Sequence, residues 1–458
     1  MTTPAIHSTH DTWDEDDLVQ RLCQTLDFAE RALRQLADSG YTDKVEQEAT
    51  VRPEKLIAET GVLLLAASAV SSYAAVGPRI LRVASLLVPH ARSQRILRGI
   101  CLEPAVALDY ATAHICLKRV GFYDSDFDAM LDLSVGSNAS DGRERAPHRM
   151  LEQEWLRQSW LYPEGLVRLR TTPMVTNSVL NRTIDLFHGT REDVYCFTHA
   201  LMYLTDFNLY PRSLPRCRQA ILAEAEGMLA RCLDEQDYDL AAEVLLAWPL
   251  TGETWSPAAA FAFRVISRVE KAAGFLPAPT TRIARMKSLN KQTGSKYFLA
   301  TAYHTVYVMG LLCAASLSPD RLPPQRIPKG PVKAGAMNAV LEHIDPETRR
   351  AHWQEEFDEL EPAEREPLAD FVFSIGLHRA FGRRDFAAMQ QLLSAGAALG
   401  LTDTPIASQA AEMMSRVAQL ANHLALSDCS CTEAGSGFVP GINNSSDSSS
   451  EAFAAQAG

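Results

Sequence analysis

Apolar residues recur at intervals of three and four along nearly the whole chain, and this rhythm limits the fold more than any other feature. Leu18, Leu22, Leu26, Ala29, Leu33 and Leu36 begin it. At about 100° per residue they line one side of a helix. Similar patterns follow near 54–75, 79–90, 103–120, 147–161, 173–187, 212–233, 256–273, 333–344, 364–381 and 405–426, with no convincing strand between them. Breaks such as "VGPR", "LEPA", "YPRSLP" and "LPAPT" carry the glycine and proline expected of turns. The pattern predicts an all-α protein.

Three segments share an aspartate, an aromatic and a helix-forming run: "SDFDAML" (125–131), "QDYDLAAEVLLA" (236–247) and "RDFAAMQQLLSA" (384–395). Such an aspartate caps the second helix of a hairpin by accepting its orphan N–H groups. The unequal spacing rules out a tandem repeat of fixed period. Stacked helical hairpins, forming an α/α toroid or an α-solenoid, are the expected architecture.

Punctuation divides the chain into an N-terminal tail (1–14), an N-terminal helical region (15–135), a central helical region (147–317) and C-terminal helical hairpins (332–426). The boundaries are "GSNASDGRERAP" (136–147) and the proline-rich 318–331. From Ser427 the composition falls to Ser, Gly, Ala and Asn, too polar to repay ordering, so 427–458 is expected to be a disordered tail like 1–14. The "CSC" within it is a weak metal signal.

The remaining composition sets the class. With 47% hydrophobic and 22% charged residues over 458 positions, a large core is available. A net charge of −12 offers no phosphate-neutralising surface, so no nucleic-acid partner is expected. Nine scattered cysteines without a CxxC pair predict reduced thiols in the cytoplasm. The polar, acidic N-terminus is unlike a signal peptide. "GVLLLAASAVSSYAAVG" (61–77) and "YFLATAYHTVYVMGLLCAASL" (297–317) are long and uncharged, but Ser, Thr, Tyr and His soften them and no positive-inside flank accompanies them. Both are expected to be buried core helices, with no membrane partner. Oligomeric state is not legible.

The candidate site lies in "YCFTHALMYLTDF" (195–207). Val194, Phe197, Leu201 and Leu204 fall on one side of that helix, and Tyr195, Cys196, His199, Met202, Tyr203 and Asp206 on the other. A solvated face would carry Lys and Glu; tyrosine, histidine and aspartate instead suit an interior cavity or a polar seam. Tyr297, Thr301, His304 and Tyr307 form a second such stripe, and Glu243 stands among Ala, Val and Leu, four residues after Asp239. If these helices share a cavity, His199, Asp206, Glu243 and His304 supply a general acid and base, or two imidazoles and two carboxylates for a metal, and Tyr203, four residues after His199, joins them as a catalytic candidate. The plain alternatives are a hydrogen-bonded core histidine, an Asp206 that only ends its helix, and an Asp239 placed for the helix dipole. Cys196 and His199 form a lone CxxH, a poor metal signal. Phosphate-loop, GxGxxG, GxSxG and HExxH motifs are absent, and "DEQDYD" (234–239) only loosely resembles an aspartate-rich metal motif.

"THALMYLTDF" (198–207), the "DYDLAAEVLLA" helix and "YHTVYVMGLL" (303–312) resemble recurring blocks of a bacterial helical family known only as a domain of unknown function, whose members are often found near specialised-metabolite genes. The resemblance spans roughly 150–320 and extends toward 15–425. It implies that His199, Tyr203, Asp206 and His304 are marked positions, and it carries over no catalytic role. Related sequences tend to have Gly after "TDF"; here Asn208 stands there, a residue that also tolerates the left-handed conformation. The expected function is a small-molecule biosynthetic enzyme that performs cyclisation, elimination or hydrolysis on a free or carrier-bound substrate, with no cofactor specified. The alternative is a non-catalytic helical binding scaffold.

Overall fold

The computed structural model describes residues 13–36, 52–137, 142–164, 173–209, 214–330, 335–344 and 351–432. Among them every regular element is a helix. The N-terminal region supplies α1 (Glu15–Gln35), α2 (Pro53–Ser68), α3 (Gly77–Ala91), α4 (Gln94–Leu102), α5 (Ala107–Arg119) and α6 (Ser125–Val135). The central region adds α7 (Pro147–Leu161), α8 (Pro173–Asn177), α9 (Arg191–Thr205), α10 (Arg218–Asp234), α11 (Tyr238–Leu245), α12 (Ala247–Thr251), α13 (Pro257–Ala273), α14 (Ile283–Ser288) and α15 (Lys291–Ser316). Then come α16 (Ala336–Leu341), α17 (His352–Glu359), α18 (Pro362–Arg365), α19 (Ala369–Gly382), α20 (Phe386–Leu399) and α21 (Pro405–Thr432).

Local chemistry explains several helix starts. Asp14, Asp237 and Asp385 accept from the N–H groups that open α1, α11 and α20. In "SDFDAML", the first of the three aspartate–aromatic segments, the cap is Asp124, two residues before the expected Asp126. Thr190 and Asp193 form a reciprocal capping box at the start of α9. The helix expected over 173–187 stops at Asn177. Beyond it the chain takes a tertiary partner: the Gln409 side chain accepts from the Leu186 N–H at 2.9 Å and donates to the Ile184 carbonyl at 2.7 Å. One amide thus satisfies two backbone groups that a helix would have paired internally.

Two compact units divide the chain, one ending at Ala410 and the other beginning at Ala411, inside α21. The boundaries expected at 136–147 and 318–331 therefore fall inside the first unit. The described part of 318–331 is anchored there: Trp255 Nε1 donates to the Arg321 carbonyl at 2.9 Å, and the Arg321 guanidinium donates to the Pro249 carbonyl. Asp14 and Trp13 belong to the folded body, where Trp13 meets Phe263 edge-on. The second unit's described residues are the rest of α21, which stays helical past Ser427 to Thr432. Residues 1–12 and 433–458 of the two expected tails lie outside the described residues.

Within the first unit, α15 packs on α1, α2 and α11. The neighbours then run from α11 to α9, α7, α5 and back to α2. Thr293–Ser316 of α15 is long and apolar enough to cross a membrane, yet 72% of its most apolar window is buried inside the protein, as a core helix would be. Two glycines bring the circuit's helices close. A Cβ on Gly61 of α2 would stand 2.8 Å from the Ala113 Cα of α5, and one on Gly310 of α15 would stand 2.5 Å from the Thr25 methyl of α1. Where α2 meets α15, the buried Thr60 and Tyr307 hydroxyls satisfy each other at 2.8 Å. Gly310→Ala is expected to cost roughly 1–3 kcal/mol by overpacking, read as a lower denaturation midpoint with an unchanged slope.

His378 of α19 is buried against α10, and its Nε2–H donates to the Gly227 carbonyl at 3.0 Å. Burial pushes its pKa down to about 4. The unfolded chain therefore takes up a proton below about 6.5 that the folded chain refuses, so stability falls as pH drops from about 6.5 to 4, by roughly 3 kcal/mol. In His378→Gln that part of the acid sensitivity disappears, which urea titrations at pH 7, 5.5 and 4 will register as a flatter profile.

Candidate functional site

Four helices of the circuit deliver carboxylate and imidazole side chains to one place: α2 brings Glu59, α9 brings His199, α11 brings Asp239 and Glu243, and α15 brings His304. The arrangement starts at the junction of α9 and α11. Arg191, in the first turn of α9, clamps the cap residue Asp237 with bonds of 2.6 and 2.9 Å and reaches Asp239 Oδ2 at 3.0 Å. One turn further along α9 the Tyr195 hydroxyl donates to the same Oδ2 at 2.7 Å. Thr198 then donates to Glu243 Oε2 at 2.7 Å. The outer oxygen of each α11 carboxylate is thereby held, and the inner one is turned toward α15.

His304 receives them. Its Nε2 lies 3.3 Å from Glu243 Oε1 and 3.6 Å from Asp239 Oδ1, and its Nδ1 lies 3.2 Å from Glu59 Oε2. Glu59 also pairs with Lys55 at 3.5 Å and accepts from Tyr303. His199 Nε2 approaches Glu243 Oε2 at 4.0 Å, its ring between those of Tyr195 and Tyr203. The α11 pair is nearly sealed, with side chains 6% and 1% exposed, whereas His199 and His304 are each 25% exposed and form the open side. Asp239 Oδ1 is buried and makes no hydrogen bond among the described residues.

The charges act on one another. Burial disfavours a charged His304, but Glu59, Glu243 and Asp239 outweigh it and hold the imidazole well above its ordinary range. Burial likewise works against an ionised Glu59, and His304, Lys55 and Tyr303 overcome it and bring the carboxyl below its ordinary value. The Tyr195 and Tyr303 phenols, buried beside carboxylates, are pushed far up and remain donors.

The chain belongs to the family described as Domain of unknown function (DUF6895). That family's model matches residues 22–314. No curated protein and no solved structure matches the chain. All five cluster residues lie inside the DUF6895 span, whereas α16 to α21 lie beyond it.

Of the five residues expected from the DUF6895 chain's sequence, the structure brings His199, Glu243 and His304 together. Tyr203 and Asp206 go elsewhere. The Tyr203 hydroxyl donates to Glu152 at 2.8 Å and its ring stacks on Trp155, facing α7. Asp206 ends α9 in the left-handed region, followed by Phe207 and Asn208 with φ of 52° and 69°. That turn swings its carboxylate to Arg119 of α5, which grips it with two bonds of 2.7 Å, while Trp155 Nε1 donates at 2.8 Å. The polar stripe of α9 is thus divided among three neighbours, and Cys196 bonds His148 at 3.1 Å rather than joining His199 in a chelate. On α15, Tyr297 accepts from the Arg282 N–H and Tyr307 meets Thr60, so only His304 of that stripe enters the cluster.

Sequence reasoning missed Glu59 and Thr198 and gave Asp239 to the helix dipole. Glu59 follows Lys55 by four, the mark of an exposed pair. Thr198 shares the side of Val194 and Phe197, which reads as core. Asp239 carried a usable signal: it stands one turn before Glu243 in an otherwise apolar helix. A cleft of about 550 Å³, lined in part by Pro147, Met150, Arg182, His188 and Asp193, opens near the N-terminal end of α9, and none of the five cluster side chains lines it.

Asp206 and His199 are expected to respond in opposite ways. Asp206→Asn breaks the ion pair with Arg119, whose side chain is only 3% exposed, and should cost roughly 3–5 kcal/mol. His199→Ala removes a partly solvated ring and should shift the melting temperature little. Parallel thermal melts of the two variants check this.

Proposed function

We propose that this chain is an enzyme of small-molecule, specialised-metabolite biosynthesis that performs acid–base chemistry at the Glu59–His199–Asp239–Glu243–His304 cluster. The observation that carries the reading is the convergence of three carboxylates and two imidazoles from four helices, sealed at Asp239 and Glu243 and open at His199, His304 and Glu59. A group that only served folding would sit in a closed, fully paired network. In this reading the closed circuit of helices is an α/α toroid whose inner side carries the site. His199 is the group that meets the substrate and transfers the proton, with Glu243 behind it. Tyr195 and Thr198 hold the carboxylates in place. The reaction is a cyclisation, elimination or hydrolysis on a free or carrier-bound small molecule in the cytoplasm.

Allele exchange in the source organism tests this even while the substrate is unidentified. Strains carrying His199→Ala or Glu243→Gln, with the protein at wild-type abundance, should show the same gained and lost metabolites by mass spectrometry as a deletion strain. Removal of a proton-transfer group lowers turnover roughly 10²–10⁴-fold. A deletion phenotype that both variant alleles fully rescue would overturn the enzyme and leave a binding scaffold.

A further inference from the structure

The inner face of the cluster has a form that proton transfer alone does not explain. Three potential ligand atoms, one each from Asp239, Glu243 and His304, lie within 4.8 Å of one another. Each of these side chains is held by its other polar atom. Asp239 Oδ2 is fixed by Tyr195 and Arg191, Glu243 Oε2 by Thr198, and His304 Nδ1 by Glu59 at 3.2 Å. Metal-binding histidines are held in the same way: the far N–H donates to a carboxylate and the near nitrogen is presented to the ion.

Spacing agrees. Two ligands held at about 2.0–2.2 Å from one ion at tetrahedral angles lie about 3.3–3.6 Å apart. The separations from His304 Nε2 to Glu243 Oε1 and Asp239 Oδ1 are 3.3 and 3.6 Å. A plain ion pair meets the same distances, so the deciding observation is Asp239 Oδ1. It belongs to a carboxylate 6% exposed, is aimed into the cluster, and makes no hydrogen bond among the described residues. The single proton that His304 Nε2 can present is 3.3 Å from Glu243 Oε1, so Asp239 Oδ1 gains attraction at 3.6 Å but no hydrogen bond.

We infer that Asp239, Glu243 and His304 bind one divalent first-row transition ion, of the zinc, manganese or iron(II) class. Imidazole together with two carboxylates suits these ions better than magnesium or calcium, which prefer oxygen alone, or copper(I), which prefers sulfur. His199, on the open side, is placed to complete the coordination or to face a substrate held by the ion. This site rests on the reading of the cluster as the working centre and names what it holds.

Full-length protein, stripped with chelator and dialysed, is titrated calorimetrically with zinc and manganese chloride, and bound metal is counted by plasma mass spectrometry. One ion per chain is expected, with Asp239→Asn and Glu243→Gln weakening binding at least 100-fold and Glu59→Gln, which touches only the far nitrogen of His304, weakening it roughly 10–100-fold. Circular dichroism of each variant reports folding. Wild-type protein that takes up neither ion at micromolar concentration overturns the site, as does equal binding by a folded Glu243→Gln. Because metal uptake is read without any reaction, it separates from the allele test: a His199→Ala phenotype without metal binding overturns the ion and keeps the enzyme, and stoichiometric binding with fully functional variant alleles supports the ion and overturns the enzyme.

Discussion

The return of α15 to the first two helices is the constraint on which the rest depends. Tyr307 and Thr60 are 247 positions apart and bond each other in the interior. His304 meets Glu59 one turn away, across a separation of 245. Neither pair has meaning in isolation. Without Thr60 the buried Tyr307 hydroxyl would lose its water bonds and regain nothing, and without Glu59 the Nδ1 of His304 would lose the carboxylate that faces it. The close approach that permits these contacts comes from residues without side chains, Gly61 against α5 and Gly310 against α1. Small residues set the helix spacing, and the spacing sets the reach of the charged groups.

Two buried charge clusters in the same protein show how differently carboxylates can be treated. Asp206 is saturated: two guanidinium bonds, an indole N–H and no exposure. Its left-handed backbone, costly for a non-glycine residue, is held in place by those bonds. Around Asp239 and Glu243 the donors serve only the outer oxygens, and the inner face is left to a histidine that three carboxylates share. The first cluster is finished by folding. The second keeps polar capacity directed at a common point, and the proposed function rests on that asymmetry.

Much of the architecture was legible because helix formation is mostly a local property. Leu18, Leu22 and Leu26 announce α1, and all three are fully buried. Asp237 and Asp385 cap as their neighbours suggest, and Asn208 takes the left-handed conformation expected where a glycine would serve. Legibility failed where a distant group supplied the satisfaction. The stretch after Asn177 leaves the helix because Gln409 pairs its backbone. The proline-rich 318–331 reads as a boundary, yet its Arg321 is bonded to Trp255 and Pro249 of the first unit.

The sequence by itself determined the class of fold, the core faces, most helix starts and the fact that His199, Glu243 and His304 are out of place on apolar helices. Those features follow from periodicity and from the chemistry of adjacent residues, which operate within a few turns. Only the tertiary structure decided which polar residues meet. Tyr203, Asp206 and His199 share one stripe of α9, but successive turns of a helix rise past different neighbours, so Asp206 meets α5, Tyr203 meets α7 and His199 meets α11. Glu59, silent in the sequence beside Lys55, becomes the partner of His304 because a helix almost 250 residues away returns to it.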